Sequence, residues 1–249
     1  MSQVLAEIPF DLRAQIENIV TEDDEPVDNL FSAKQQTLLK RPLYASWSPP
    51  PSEDQPKGRR KFLAEVNVGI FFAVHQPPLV PDFFLSLDVA PHKDWYDKAH
   101  RTYFVWEFGK VPEVAVEIVS NRKGGELTGK LKDYARIGVN YYVVYDPNGH
   151  LSKDTLRVYE FGFGKRYLRR EDHQLPDLGL TLILWQGVFE DKDDTWLRWC
   201  DAEGHLIPTG EERAVSAEER ALQAEAEVAR LRAELARRTR KKPSTKRSK

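Results

Sequence analysis

Apolar and polar positions along this chain change rhythm several times, and each change predicts an element. "DLRAQIENIV" has apolar residues at roughly helical spacing, and "NLFSAKQQTLLKRPLYASW" offers Ser32 as the cap of a short helix ending before Pro42. "SPPPSEDQPKGRR" is Pro-rich and polar, a loop or linker within the domain. Strand-like text then begins with "KFLAEVNVGIFFAV" and "PPLVPDFFLSLDVA", where Pro77, Pro78 and Pro81 limit the start of the second strand. "RTYFVWEFG" fits a strand or a structured loop, and "VPEVAVEIVS" reads as the most deeply buried strand. Helical spacing returns at Leu127, Leu131, Tyr134 and Ala135, with Gly138 where a C′ glycine belongs. "NYYVVYDP" is a further apolar strand, and "LRVYEFGFGKRYLRR" a hairpin around Gly162 to Lys165. "LGLTLILWQGVFE" and "TWLRWCDAEGHLI" are two more β-like segments. This order predicts an α/β fold with a mixed central sheet and flanking helices. The helix between "VAVEIVS" and "YYVVYDP" is expected to make a right-handed β-α-β crossover.

From Glu211 onward the text is rich in Ala, Glu, Arg and Leu. Ala221, Ala224, Val228, Leu231 and Leu235 form a short heptad seam, which fits either a self-associating coiled coil or a solvated helix. The expected division is an α/β domain over 1–207, a helical coiled-coil extension over 208–238 and a basic, disordered tail over 239–249.

Charge sharpens this picture. Arg237 to Lys249 holds eight basic residues and no acids. Without them 29 basic residues face 39 acidic ones, so a basic face for nucleic acid would have to be local. The one cysteine, Cys200, excludes an internal disulfide framework. There is no secretory h-region and no apolar run near the roughly 20 residues that span a bilayer, so a cytoplasmic location is expected.

One residue breaks the pattern of the most buried strand. Glu117 lies in Val114-Ala115-Val116-Glu117-Ile118-Val119, and a carboxylate there needs a compensating cation. An arginine or lysine would make it a structural salt bridge. A divalent metal would make it functional, since Mg²⁺ takes oxygen ligands from one or two carboxylates. Asp82, after Pro81, is a candidate second carboxylate, and Lys130 a candidate ammonium.

The set Pro81-Asp82, Glu117, Glu126, Lys130, Tyr134, Gly138-Val139 and Asp146-Pro147 resembles the Uma family of restriction endonucleases, within the PD-(D/E)xK nuclease superfamily. The resemblance covers about residues 20 to 200. It implies a restriction-endonuclease-like core and metal-dependent hydrolysis of phosphodiester bonds in nucleic acid, with DNA the expected substrate. Asp82 and Glu117 would hold Mg²⁺ or Mn²⁺, with the Ile118 carbonyl as a further ligand. Two departures stand out. The superfamily lysine two residues after the acid is Val119 here, which implies that Lys130 supplies the ammonium. The proline of the following turn is absent from "SNRKGG". Glu126, four residues before Lys130, would orient it or simply make an ordinary Glu–Lys pair.

Other features carry less. The six histidines stand in no metal-ligand spacing with Cys200, Ser120 lacks the glycines of a nucleophile elbow, and "FGFGKR" lies in a hairpin rather than a phosphate loop. Trp95, Tyr96, Tyr103 and Trp106 could stack on bases or belong to the core, and Arg122 and Lys123 could meet a phosphate or be solvated. A homodimer through the heptads suits a nuclease that cuts both strands. The rival reading is a non-catalytic nucleic-acid-binding or assembly module tethered by that coiled coil.

Overall fold

The computed structural model describes residues 29–51, 60–94, 96–121 and 125–240. "DLRAQIENIV", Trp95, Arg122, Lys123 and residues 241–249 lie outside them. The chain divides into two compact units, 1–207 and 208–249.

The first unit is built on a six-stranded mixed sheet in the order β1-β3-β5-β6-β7-β8. Its strands are β1 (Phe62–Glu65), β3 (Phe83–Leu87), β5 (Val114–Ile118), β6 (Tyr141–Tyr145), β7 (Leu156–Gly162) and β8 (Arg166–Arg170). Only β5 and β6 run parallel. Antiparallel neighbours can be joined by a tight turn, whereas a parallel pair needs a crossover. That crossover is α3 (Gly129–Ile137). It starts after a turn at Gly125, two residues later than the spacing from Leu127 suggests. It ends at Gly138, whose φ of 85° is a left-handed conformation that glycine adopts without strain.

Period-two alternation divides the core between the two faces of this sheet. Val114, Val116 and Ile118 of β5 join one cluster with Phe83, Leu85, Val143 and Tyr145. That cluster is covered by α1 (Leu30–Ser46) and by an antiparallel sheet of β9 (Gln174–Leu175), β10 (Leu180–Phe189) and β11 (Lys192–Asp201). Ala115 and Val119 point the other way, with Phe84, Tyr142 and Val144, towards Tyr134 of α3. Glu117 belongs to this second face by position. Close by, β2 (Ile70–Phe71) pairs in parallel with β4 (Tyr103–Phe104), and a single helical turn, α2 (Val105–Phe108), follows.

Two local expectations are corrected. The first helix does not stop before Pro42 but carries it inside and runs to Ser46, and its cap is Asn29, whose Oδ1 accepts from Ser32 N at 3.0 Å. A proline in a helix removes one hydrogen bond. Burial of Leu39, Leu43 and Trp47 in the first core offsets the loss. "KFLAEVNVGIFFAV" is two strands, not one, because Asn67 takes a left-handed φ of 52° between them. Asparagine tolerates that region better than most residues.

Gln35 joins α1 to the edge of the smaller sheet. It is fully buried; its Nε2 donates to Leu197 O at 2.8 Å and its Oε1 accepts from Leu197 N at 2.9 Å. The amide side chain thus pairs backbone groups of β11 that no neighbouring strand reaches.

The second unit is the long helix α4 (Gly210–Arg240). A reciprocal capping box opens it: Glu212 N donates to Thr209 Oγ1 at 3.1 Å and Thr209 N to Glu212 Oε2 at 2.7 Å. No helix among the described residues is long and apolar enough to cross a membrane.

Gln35→Met keeps the volume but leaves two buried backbone groups unpaired, which should cost about 2–4 kcal/mol. Urea unfolding should show this as a lower midpoint at unchanged m-value.

Candidate active site

Strand β5 carries Glu117 into the second core, where the side chain is only 2% exposed. α3 returns across that face, and its Lys130 and Tyr134, one turn apart, both reach the carboxylate. Lys130 Nζ donates to Glu117 Oε2 at 2.7 Å, and Tyr134 Oη donates to Oε1 at 2.8 Å. Tyr134 is buried, whereas the Lys130 side chain keeps about a third of its surface in solvent (35%).

Asp82 sits just before β3, where the ladder with β5 has run out. Its Oδ2 accepts from the backbone N–H of Ile118 at 2.6 Å, so the carboxylate extends the pairing of β5 by one more bond. Ile118 directly follows Glu117, which fixes Asp82 beside the other acid. Asp82 Oδ1 accepts from Gln36 Nε2 at 3.1 Å. Gln36 and Asn67 exchange amide hydrogen bonds, each 3.2 Å long. The kink at Asn67 that splits the first strand-like stretch therefore supplies a side chain that holds the glutamine.

Asp82, Glu117 and Lys130 thus converge in one place. Sequence reading missed Gln36 and Asn67. "KQQT" places two adjacent amides on α1, both buried in the structure, but nothing in the sequence singles them out. Glu126 behaves differently from either reading of it. It precedes α3 and makes no ion pair with Lys130, whose ammonium is on Glu117; its buried Oε2 has no hydrogen-bond partner among the described residues. Asp146 is structural, its two oxygens accepting from His150 N and Leu151 N at 2.8 Å each. Of the aromatic candidates, Tyr103 is core, Trp106 packs on Phe104, and Tyr96 is exposed.

Electrostatics follow from burial. Loss of water pushes the Glu117 carboxyl up to about 7; Lys130 pulls it down and Asp82 adds to the rise. Burial would lower the Lys130 ammonium, but Glu117 raises it, with Glu126 and Asp82 adding, and it stands above its ordinary value. Burial, then Glu117, hold the Tyr134 hydroxyl well above its usual range, so it stays a donor.

The donor set is two carboxylates with hard oxygen atoms, which suits Mg²⁺ or Mn²⁺ rather than softer metals. A lysine already holding a positive charge against Glu117 marks this as a place that favours a cation. The direct Glu117–Lys130 pair is equally what a structural salt bridge requires, so chemistry has to separate the two. Asp201, Glu203 and His205 also bring potential ligand atoms within 4.8 Å of one another. They form a polar turn after β11 whose Asp201 carboxylate already accepts from Glu203 N and His205 N.

The α/β unit also holds a cleft of about 330 Å³. Its walls include Lys40, one helical turn after Gln36, Phe84, two residues after Asp82, and Tyr103, Phe108 and Arg101.

A comparison with protein families matches residues 26–184 to Uma2, described as "Putative restriction endonuclease". A comparison with curated proteins finds no match.

A carboxyl that holds its proton more tightly when folded contributes stability that is full below its ordinary value of 4.5 and is lost as pH rises to about 7. With a chelator present, the wild type should therefore lose on the order of 3 kcal/mol relative to Glu117→Gln between pH 4.5 and pH 7, at about 1.4 kcal/mol per unit. Parallel urea titrations of both proteins would show this; equal slopes with pH would mean that Glu117 titrates normally.

Proposed function

Because the chain belongs to the Uma2 family, matched over residues 26–184, we propose that its α/β unit is a metal-dependent endonuclease acting on nucleic acid, with DNA as substrate, in the cytoplasm. In this reading Asp82 and Glu117 hold Mg²⁺ or Mn²⁺, and Lys130 assists the attacking water. The observation that supports it is the convergence of two carboxylates and one ammonium, from the lead-in to β3, from β5 and from α3, at the end of the interior strand β5.

The bound ion would polarise a phosphoryl oxygen and lower the pKa of a coordinated water. The protein's own groups do the rest. The Ile118 N–H and the Gln36 amide orient Asp82, so that its carboxylate is positioned before any ligand arrives. The Tyr134 hydroxyl holds one Glu117 oxygen in place. The Lys130 ammonium, which donates to Glu117 here, would also serve as the donor to the attacking water or to phosphoryl oxygens as negative charge builds up on them. Its partial exposure gives it access to both. Tyr134 is the complementary case, since a buried hydroxyl one turn away has a positioning role only.

The direct Glu117–Lys130 pair supports a second reading, in which the same fold is a nucleic-acid-binding or assembly module and the pair is structural. Calorimetric titration of Mn²⁺, combined with nicking of supercoiled plasmid by the same preparations, separates them. The nuclease reading expects Glu117→Gln and Asp82→Asn to remain folded, lose metal binding and fall to background nicking. Lys130→Ala should keep the metal and lose rate. Gln36→Leu should lose about 10–100-fold in metal affinity or activity, as outer partners of ligands do. A folded wild type that neither binds Mn²⁺ nor nicks would leave the binding module as the better reading.

A further inference from the structure

The surface of α4 carries an exposed apolar stripe. Val228, Leu231 and Leu235 are 46%, 50% and 64% exposed. In a heptad frame Ala221, Val228 and Leu235 are at a, and Ala224 and Leu231 at d. A lone helix gains nothing from such a stripe, and the small alanines leave room for a close neighbour.

The flanking charges say what that neighbour is. Position g holds Arg213, Arg220, Glu227 and Glu234, and position e holds Glu218, Glu225, Arg232 and Thr239. In a parallel pair of identical helices, each g residue faces the e residue of the next heptad on the other strand. That gives Arg213 with Glu218, Arg220 with Glu225, and Glu227 with Arg232. These three pairings are attractive, the fourth sets Glu234 against the uncharged Thr239, and each occurs twice by symmetry. The sign reverses at the third pair, but it reverses on both rows together, so the match survives. An antiparallel pair instead sets e against e and leaves Glu225 opposite Glu225 when the rows overlap fully.

We propose that α4 is the interface of a parallel two-stranded coiled coil whose partner is a second copy of this chain. Glu227 is held by Arg230 of its own helix at 2.6 Å, and in the pair it turns to Arg232 of the other copy. The proposal stands whether or not the α/β unit cuts nucleic acid.

Sedimentation equilibrium of the full chain tests it. The wild type should dimerise in the micromolar range, and Leu231→Asp should be monomeric with the unfolding of the α/β unit unchanged. Arg220→Glu should weaken association by about tenfold, since two attractive contacts become repulsive. Adding Glu225→Arg to it should restore the wild-type constant, which only the parallel g-to-e pairing allows. A wild type that stays monomeric, a dimer that survives Leu231→Asp, or an assembly larger than two would each overturn the proposal. So would a charge swap that fails to restore association.

Discussion

A carboxylate buried in a sheet core sets the terms for much of this fold. Glu117 has no water to solvate it, so the chain has to bring polar partners to it. The crossover helix α3 meets that need twice, with Lys130 and Tyr134 one turn apart. The parallel β5–β6 pair demands a crossover in any case, and the same helix that closes the topology also neutralises the acid. Shifting α3 by a single residue would rotate both donors away, so the packing of Tyr134 in the second core and the electrostatics of Glu117 are satisfied by one arrangement.

The opposite side of the site depends on α1 in a comparable way. Gln35 and Gln36 are neighbours, and their side chains leave the helix about 100° apart. One completes the edge of the smaller sheet and the other steadies Asp82. The retained Pro42 fits this picture. Core contacts on both sides of it fix the helix strongly enough that one missing hydrogen bond does not end it.

Much of this was legible in the sequence. Alternation gave the strands, Gly138 the end of α3, and the isolated acid in an apolar run the centre of the site. Glu117 was nameable because charge in an apolar strand is costly, whereas Asp82 and Lys130 were nameable through their order along the chain and the family resemblance that order carries. Gln36 and Asn67 were not, because an amide carries no such signal: buried or exposed, it reads as an ordinary polar residue. Pro42 misled for a related reason, since local propensity is blind to the tertiary contacts that override it. Asn67 hid a break between two strands inside text that reads as one continuous strand. The heptads of α4 were visible at once, but the matching of their flanking rows becomes meaningful only when a continuous helix from Gly210 to Arg240 holds them in one frame.

The paired glutamines carry a further consequence for how this protein can change over generations. Adjacent residues that serve two unrelated partners make α1 a keyed element: an insertion or deletion between Asn29 and Gln36 would turn both amides off their targets together. Innovation is therefore channelled away from this helix.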